Sequence, residues 1–254
     1  TTSSGTSSST QTIYIRVTDV AEAPSISTAA ISNAPENSSA VATISASDED
    51  RNSVLTYSLV DSAGSKDEAL LSIDSAIGTV TFVTAPNFES PSDLNADNTV
   101  DFTVMVSDGA LSTQSDYTFS ITNVNEVPTI STASIANKAE GITALGTISA
   151  SDPDSGSSLS FSLVNSEGLK DEGLLAIDSS SGSITFAVAP DYESPSDIGL
   201  NNTIEFSVKV SDGSLSATQS YSLSITNVNE APIISSTSFS IAEQSTAVGS
   251  ISAS

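Results

Sequence analysis

The 254-residue sequence contains no cysteine, no histidine and no tryptophan. Without cysteine the chain forms no disulfide and offers no thiolate ligand to a metal. Without histidine it lacks the commonest general base and the usual zinc ligand. A zinc or copper centre usually takes its nitrogen or sulfur donors from histidine or cysteine, and the chain has neither.

Basic residues are also scarce: six Lys and Arg stand against 31 Asp and Glu, which gives a formal net charge of −25. Such a surface repels nucleic-acid phosphates and anionic membranes, so we expect neither as a partner. No stretch approaches the ~20 apolar residues of a membrane span, and we expect no direct membrane insertion of this segment. The plainest role of the charge is solubility, but carboxylates that converge on one point also attract cations.

What the sequence does contain is a phrase of the form Asp/Asn-Val-x-Glu-x-Pro that recurs every 104 residues, at 19–24, 123–128 and 227–232. Residues 24–127 align with 128–231 without a gap, and 59 of the 104 positions are identical. A fixed period of this length indicates a tandem array. We predict two complete domains, 24–127 and 128–231. The last strand of a truncated repeat (1–23) precedes them, and the first strands of another (232–254) follow, as expected for a piece of a longer protein.

Within each repeat, short runs rich in Val, Ile, Thr, Phe and Tyr carry apolar residues at every second position, the pattern of half-buried antiparallel strands. In the first repeat the predicted strands are 26–31, 40–46, 55–60, 71–73, 78–83, 100–106 and 117–122. Seven strands in about 100 residues predict an all-β fold of tandem Greek-key β-sandwich domains. The missing Trp and Cys exclude the antibody type of core. Segment 66–71 predicts one helical turn, and the Asp108-Gly109 and Asp212-Gly213 pairs predict tight turns between the last two strands.

The acidic residues gather in a few loops of each repeat, and one of these loops has the spacing acid-x-acid (Asp48 and Asp50; Asp152 and Asp154). This spacing lets alternate side chains face one point, and oxygen ligands from several loops are what Ca²⁺ requires. Two carboxylates could also serve glycoside hydrolysis. A catalytic pair usually occurs once, however, whereas these acids recur in every copy, so we expect no enzyme.

Other acids favour a structural role. Asp74 and Asp178 stand before a glycine and are expected to form turns. Asp93, Asp97 and Asp197 belong to a long loop, where solvation is favoured over metal ligation.

Five motifs follow one another in register in both copies: the junction phrase, a Pro-Glu-Asn start (Ala-Glu-Gly in the second copy), an Asp-x-Asp loop, an Asp-Tyr-Glu loop (Asn-Phe-Glu in the first copy) and a Val-Ser-Asp-Gly hairpin. In this order they resemble cadherin-type domains, and specifically the bacterial cadherin-like tandem repeats of large calcium-dependent surface adhesins. The resemblance covers essentially the whole chain. It implies Ca²⁺ ions between successive domains, held by the base of one domain, the linker and the top of the next.

Carried over residue by residue, the resemblance implies one ligand set for each joint. At the first joint the set is Asp19, Glu22, Asp48, Asp50 and Asp108. At the central joint it is Glu36, Asn87, Glu89, Asn123, Asn125, Glu126, Asp152, Asp154 and Asp212. At the last joint it is Glu140, Asp191, Glu193, Asn227, Asn229 and Glu230.

The sequence departs from the animal cadherin pattern at these joints. The junctions are one residue shorter, and Asn123 and Asn227 stand where Asp is usual. Asn87 also replaces the carboxylate that Asp191 supplies in the second copy. The smaller ligand charge predicts fewer ions or weaker binding at the central joint.

The resemblance implies a non-enzymatic, extracellular segment, at the cell surface or secreted, that calcium stiffens so that it extends a large adhesin. Its expected partners are the neighbouring repeats of the same chain. Two alternatives stay open. The chain could be a structural subunit of an extracellular filament or sheath, or the repeats could themselves bind a partner, homophilically or through glycans.

Overall fold

In the residues that the structure describes, each repeat forms nine strand segments and one 3-10 turn, in the same order in both copies. The structure is a computed structural model, and it describes residues 5, 8–18, 20–61, 64, 66–164, 170–234, 240–247, 250 and 251. Contacts within the chain divide it into two units, unit 1 (Thr1–Val124) and unit 2 (Asn125–Ser254). Each unit is described by itself below.

The strands of unit 1 are β1 (Ser25–Ile26), β2 (Ala34–Pro35), β3 (Ala40–Thr43), β4 (Ala46–Ser47), β5 (Thr56–Leu59), β6 (Leu71–Ile73), β7 (Thr79–Phe82), β8 (Thr99–Ser107) and β9 (Ser112–Thr122). The strands of unit 2 are β10 (Thr129–Ile130), β11 (Lys138–Ala139), β12 (Ala144–Thr147), β13 (Ala150–Ser151), β14 (Ser160–Leu163), β15 (Leu175–Ile177), β16 (Ser183–Phe186), β17 (Thr203–Ser211) and β18 (Ser216–Thr226).

Two sheets face each other in each unit. In unit 1 a four-stranded sheet has the order β2-β9-β8-β5, a three-stranded sheet has the order β3-β7-β6, and β1 pairs with β4. Unit 2 repeats this topology with β11-β18-β17-β14, β12-β16-β15 and β10-β13. All pairs are antiparallel except β2 with β9 and β11 with β18. The predicted all-β sandwich is confirmed.

Two departures turn the seven predicted strands into nine segments: the first predicted strand is largely absent, and the second is divided. Segment 26–31 was predicted as one strand, whereas β1 ends at Ile26 and β2 begins only at Ala34. β2 lies outside the predicted segment and belongs to a different sheet from β1, because its partner is β9 and the partner of β1 is β4. The second predicted strand divides into β3 and β4, and a register shift between Ala40 and Ala42 disturbs its pairing with β7.

The core lies between the sheets and is built mainly from the long hairpin. In β8, Phe102, Val104 and Val106 have no exposed surface, and Tyr117 and Phe119 of β9 are buried. Burying these side chains supplies the dominant driving force for folding, at roughly 25 cal/mol per Å² of apolar area. The Tyr117 hydroxyl donates a hydrogen bond of 2.9 Å to the Thr28 carbonyl, so its polar end is satisfied. The equivalent bond in unit 2 joins Tyr221 to Thr132, also at 2.9 Å.

Two buried aspartates organise the long loop between β7 and β8. Asp67, next to the 3-10 turn Glu68–Leu70, accepts hydrogen bonds from the backbone N–H groups of Leu94 (2.7 Å) and Asp101 (2.9 Å). Asp93 accepts two more within the loop, from Asp97 (2.8 Å) and Asn98 (3.2 Å). The expectation that Asp93 is solvated is therefore wrong.

The same arrangement recurs in unit 2, where Asp171 and Asp197 are buried at the equivalent positions. The 3-10 turn there is Glu172–Leu174. In unit 1 the turn falls inside the predicted helical segment 66–71.

The flanking segments carry no assigned strand among their described residues, 5, 8–18 and 20–23 before the first repeat and 232–234, 240–247, 250 and 251 after the second. Within the part of the chain that the structure describes, no helix is long and apolar enough to cross a membrane.

Candidate metal centre

The Asp-x-Asp loop follows β4 in unit 1. One oxygen of its first carboxylate accepts hydrogen bonds, and the other accepts none from the described residues. Asp48 Oδ1 accepts hydrogen bonds from the backbone N–H of Asp50 (2.8 Å) and the hydroxyl of Ser53 (3.1 Å). Asp48 Oδ2 is buried and has no hydrogen-bond partner among the described residues. A buried carboxylate oxygen without a partner is costly, and a bound cation is one way to satisfy it.

Unit 2 repeats this detail after β13. Asp152 Oδ1 accepts the backbone N–H of Asp154 (2.9 Å) and the hydroxyl of Ser157 (3.1 Å). Asp152 Oδ2 is buried and, among the described residues, it too lacks a hydrogen-bond partner. The buried oxygen without a hydrogen-bond partner therefore recurs in the Asp-x-Asp loops of both units.

The hairpin between β8 and β9 brings a third carboxylate to the loop of unit 1. Asp48, Asp50 and Asp108 each offer an oxygen, and these oxygens lie within 4.8 Å of one another. Oxygens that share one Ca²⁺ at 2.3–2.6 Å can be about 5 Å apart at most, so the spacing suits that ion. We refer to Asp48, Asp50 and Asp108 as the top cluster.

Backbone donors keep the Asp108 carboxylate ionised. Its Oδ1 accepts the N–H groups of Ala110 (2.6 Å) and Leu111 (2.7 Å) in the predicted tight turn. The bond from Leu111, followed by that from Ala110, lowers the pKa of Asp108 below its usual value. A charged carboxylate is the form that binds a cation.

Linker residues donate hydrogen bonds to the Asp-x-Asp loop of each unit and, in unit 2, to the hairpin between β17 and β18 as well. In unit 1 the Glu22 N–H lies 3.2 Å from Asp50 Oδ2. In unit 2 the Glu126 N–H donates to Asp154 Oδ2 (2.8 Å), and Asn125 Nδ2 donates to Asp212 Oδ2 (2.8 Å).

The bond from Asn125 is the largest cause of the lowered pKa of Asp212, and the backbone N–H groups of Ser214 and Leu215 lower it further. These contacts place Asn125, Glu126, Asp154 and Asp212 around one loop of unit 2.

A second group of acids, the base cluster, lies in unit 2 at the end of the sandwich opposite to its Asp-x-Asp loop. Glu140, Asp191 and Glu193 each offer an oxygen, and these atoms lie within 4.8 Å of one another. Glu140 is buried, and its carboxylate accepts the N–H groups of Tyr192 (2.7 Å) and Val228 (2.6 Å), which lower its pKa.

The end of the unit 2 repeat adds further groups to the base cluster. Asn227 Nδ2 donates a hydrogen bond to Glu193 Oε1. Burial raises the pKa of Glu230, and the charges of Glu140, Glu193 and Asp191 raise it further. Asn229, which lies between Asn227 and Glu230 in the sequence, is exposed. So much negative charge in one place favours a cation.

The base of unit 1 has the same framework with less charge. Glu36 is buried, lies within 4.8 Å of Glu89, and accepts the N–H groups of Phe88 and Val124, both at 2.8 Å. Asn123 Nδ2 donates to Glu89 Oε1 at 2.9 Å.

Asn87 differs from its counterpart Asp191 in what it can offer to a metal. Asn87 Oδ1 accepts the Ser90 N–H (2.7 Å), as Asp191 Oδ1 accepts the Ser194 N–H (3.0 Å). Asn87 therefore has no second oxygen left over, whereas Asp191 does. Asp19, the remaining ligand implied by the sequence, lies outside the described residues.

The donor set of both clusters consists of oxygen atoms, which suits a hard cation such as Ca²⁺. The turn-forming acids lie elsewhere: Asp74 Oδ1 accepts the N–H groups of Ala76 (2.8 Å) and Ile77 (3.1 Å), as predicted for a turn former.

No protein-family model and no curated protein sequence matches the chain. Its fold is similar to solved structures of cadherin extracellular repeats. Human protocadherin-24 EC1-2 is 19% identical over 84% of this chain and 100% of that one, with a TM-score of 0.51. Human CDH23 EC21-23 is 22% identical over 88% and 81% of the two chains, also at 0.51. Drosophila N-cadherin EC1-4 is 20% identical over 82% and 50%, again at 0.51. These likenesses show a cadherin-like fold.

Proposed function

We propose that this chain is a non-enzymatic, extracellular extender segment of a large repetitive cell-surface adhesin, rigidified by calcium bound at the joints between its repeats. The cadherin-like fold and the 104-residue period support a serial arrangement of similar domains. The bacterial origin of the adhesin is part of the proposal, and it rests on the sequence motifs.

The observation that carries the calcium site is the Asp-x-Asp loop. In both units the second oxygen of its first aspartate is buried and has no hydrogen-bond partner among the described residues. Solubility requires only that carboxylates meet water, so a charge that serves solubility alone does not account for these oxygens. A cation that also contacts the neighbouring acids of the loop does.

Calcium would have a mechanical consequence in this arrangement. In the sequence, the acids at the base of one repeat precede the junction phrase, and the Asp-x-Asp loop of the next repeat follows it. Without a cation, acids gathered at one joint repel each other, and the repeats hinge freely. With Ca²⁺ bound by both repeats, the repulsion is neutralised and the joint stiffens.

The affinity expected for such a site is on the order of 10⁻⁴–10⁻³ M, as in other extracellular modules. The site would then be filled outside the cell and empty in the cytosol. Because Asn87 and Asn123 replace carboxylates, we expect the central joint to bind calcium more weakly than a joint with Asp at both positions.

The experiment compares thermal unfolding and the small-angle X-ray scattering length of the full chain in EDTA, in millimolar Ca²⁺ and in millimolar Mg²⁺. Ligation of the folded state should raise the melting temperature by several degrees, since a tenfold excess over Kd contributes about 1.4 kcal/mol. The particle should also become longer and stiffer with Ca²⁺ and much less so with Mg²⁺.

The double variant Asp152→Ala with Asp154→Ala should lose most of both responses. The matched control, Asp101→Ala with Glu205→Ala, removes the same charge from two exposed positions away from the acidic clusters and should keep them. An unchanged melting temperature and length in the wild-type chain would show that the acids only solvate the surface.

A further inference from the structure

The outer face of the four-stranded sheet carries a lysine hydrogen-bond network in each unit. In unit 1, Lys66 Nζ donates to Thr103 Oγ1 (2.7 Å) and to Asp116 Oδ1 (2.6 Å), and the Thr103 hydroxyl donates to the same carboxylate oxygen (2.6 Å). Thr103 is only 7% exposed, whereas the Asp116 side chain is 77% exposed. A buried hydroxyl and a lysine ammonium therefore hold one carboxylate at the surface of unit 1.

Unit 2 keeps the lysine and the buried hydroxyl but lacks the carboxylate. In the order lysine, buried hydroxyl and surface residue, its network consists of Lys170, Ser207 and Ser220. Lys170 Nζ donates to Ser207 Oγ (2.7 Å) and to Ser220 Oγ (3.1 Å), and the two hydroxyl oxygens are 2.9 Å apart. Ser207 is 5% exposed. The hydroxyl oxygen of Ser220 thus accepts the bond that a carboxylate oxygen of Asp116 accepts in unit 1.

The ammonium of Lys170 keeps hydrogen-bonding capacity for a ligand. An ammonium group has three donors, and the two serine hydroxyls take two of them. The one ion pair that the described residues form is that of unit 1, so within this part of the chain Lys170 has no carboxylate partner. Where Ser207 donates to Ser220, in the direction that the unit 1 network has, the hydroxyl hydrogen of Ser220 is available as well.

The same face of unit 2 is locally positive, although the chain as a whole has a formal net charge of −25. Lys209 is exposed and lies two residues after Ser207 on β17, so the two side chains share one face of the sheet. Lys170 and Lys209 outnumber Glu205, the one described acid that β17 and β18 place on this face. In unit 1, two aspartates outnumber one lysine on the equivalent face. A local excess of positive charge attracts anions to unit 2.

We propose that Lys170, Ser207 and Ser220 form a binding site, present in unit 2, for the carboxylate group of a small organic acid or an acidic sugar. The occupant is argued from unit 1, where a network of the same design holds the carboxylate of Asp116. The ligand carboxylate accepts hydrogen bonds from the third ammonium N–H and from the Ser220 hydroxyl, and such charge-assisted bonds are stronger than neutral ones. Neither calcium nor the acidic clusters take part, so this proposal stands apart from the function proposed above.

The test titrates the full chain in EDTA with sodium acetate, sodium glucuronate and glucose, while sodium chloride keeps the ionic strength constant. The amide NMR signals of Ser207 and Ser220 and the Cε signal of Lys170 should shift in a saturable way with both carboxylates and not with glucose. The equivalent signals of unit 1 should not move. Tighter binding of glucuronate would identify an acidic sugar as the ligand, and equal affinities would show that the site recognises the carboxylate alone.

Two results of this titration would overturn the proposal. One is the absence of a saturable shift in unit 2, or equal shifts in both units. The other is the same response to sodium chloride alone, which would mean an adventitious ion only.

Reciprocal variants at one exposed position sharpen the test. Ser220→Asp gives unit 2 the internal carboxylate that unit 1 has, so its acetate affinity should fall by about tenfold or more, because an intramolecular group competes at high effective concentration. Asp116→Ser removes that carboxylate from unit 1 and should create an acetate response at Lys66. Each substitution introduces the residue that the other unit already carries, so neither should unfold its unit. If Ser220→Asp and Lys170→Met both leave the affinity of unit 2 unchanged, acetate binds elsewhere and the proposal fails.

Discussion

The two units share 59 of 104 positions in one fold, yet their cores are closed by different side chains. In unit 1 the Phe119 ring lies edge-on to Phe82 (5.9 Å between ring centroids) and to Phe102 (6.2 Å). Unit 2 has Leu223 at the position of Phe119. Its stacked pair Phe206–Tyr221, 5.5 Å apart, matches the pair Phe102–Tyr117 of unit 1.

The comparison separates what the fold requires from what it tolerates. The buried aspartates of the long loop and the Asp-x-Asp loop make the same hydrogen bonds in both units, because the backbone around them depends on those bonds. The aromatic contacts and the surface ion pair differ. We expect unit 1, with its additional aromatic pairs, to be the more stable of the two in EDTA.

The largest expected effect comes from a glycine that both units need. Gly78 has φ +71°, and a Cβ there would lie 2.6 Å from the Ile44 carbonyl oxygen and 2.9 Å from the Tyr57 ring. Gly78→Ala should destabilise unit 1 by roughly 3 kcal/mol or more, since backbone strain and a backbone clash add. Denaturant unfolding in EDTA measures the loss.

Gly109→Ala is the matched control, because Gly109 has φ +95° but no heavy atom within 4 Å of its added Cβ. It should cost only about 1–2 kcal/mol, the strain of the left-handed conformation. If the two variants lose the same stability, the close contact at Gly78 contributes nothing.

The next effect concerns the buried acid that fastens the long loop. Asp67→Ala leaves the backbone N–H groups of Leu94 and Asp101 without their acceptor. Because both bonds are only part-buried, we expect a loss of about 2–4 kcal/mol for unit 1, from the lower part of the range of roughly 1–3 kcal/mol for each unsatisfied donor. Asp171→Ala should cost unit 2 a similar amount.

Native-state hydrogen exchange of the loop amides reads this effect locally. Asp101→Ala, which removes an exposed carboxylate but keeps its backbone donor, is the control. Equal protection of the loop in wild type and Asp67→Ala would contradict the role given to this residue.

A smaller effect tests the aromatic difference directly. Phe119→Leu makes the core of unit 1 resemble that of unit 2 and should cost about 1–2 kcal/mol, since two edge-to-face contacts are lost. Calorimetry should show the melting temperature of unit 1 approaching that of unit 2. A melting temperature that does not move would mean that Leu packs at this position as well as Phe does.

The smallest effect is expected from the surface ion pair. Lys66 Nζ lies 2.6 Å from Asp116 Oδ1 in unit 1, whereas Lys170 donates to Ser220 (3.1 Å) at the equivalent place. The hydrogen bond from Lys66 holds the pKa of Asp116 below its usual value. The stabilisation is therefore complete above the unfolded pKa of about 3.9 and is lost as the pH falls through the lower, folded pKa.

Asp116→Ser should accordingly lower the stability of unit 1 slightly at neutral pH and leave it unchanged in strong acid. Unfolding followed from neutral pH to about pH 2 checks the sign, and added salt should shrink the difference. A difference that grows in acid would reverse this assignment.

The alternating strands were predictable because their period is local. Segment 71–73 was predicted with the bounds that β6 has, and β8 and β9 extend the predicted 100–106 and 117–122 by a few residues. Strand β2 and its pairing with β9 were missed, because no feature of 26–35 reveals which strand will become its partner.

The candidate site was also partly predictable. Asp48 and Asp108 are 60 residues apart, and the motif order, through the family resemblance, implied that they meet, as the top cluster shows. The burial of Asp67 and Asp93 could not be anticipated, because each accepts backbone donors that only the folded loop brings within reach. The one sequence signal for this burial was position: Asp67 precedes a predicted helical turn, and Asp93 lies in a long loop.

The central claim is that the Asp-x-Asp loops bind calcium, and equilibrium dialysis with radioactive Ca²⁺ tests it most directly. The wild-type chain should bind the ion saturably at a Kd on the order of 10⁻⁴–10⁻³ M. The variant Asp152→Asn with Asp154→Asn should bind fewer ions, and the exposed control Asp101→Asn with Glu205→Gln should bind as many as the wild type. Equal binding by all three chains, or no saturable binding by the wild type, would contradict the account.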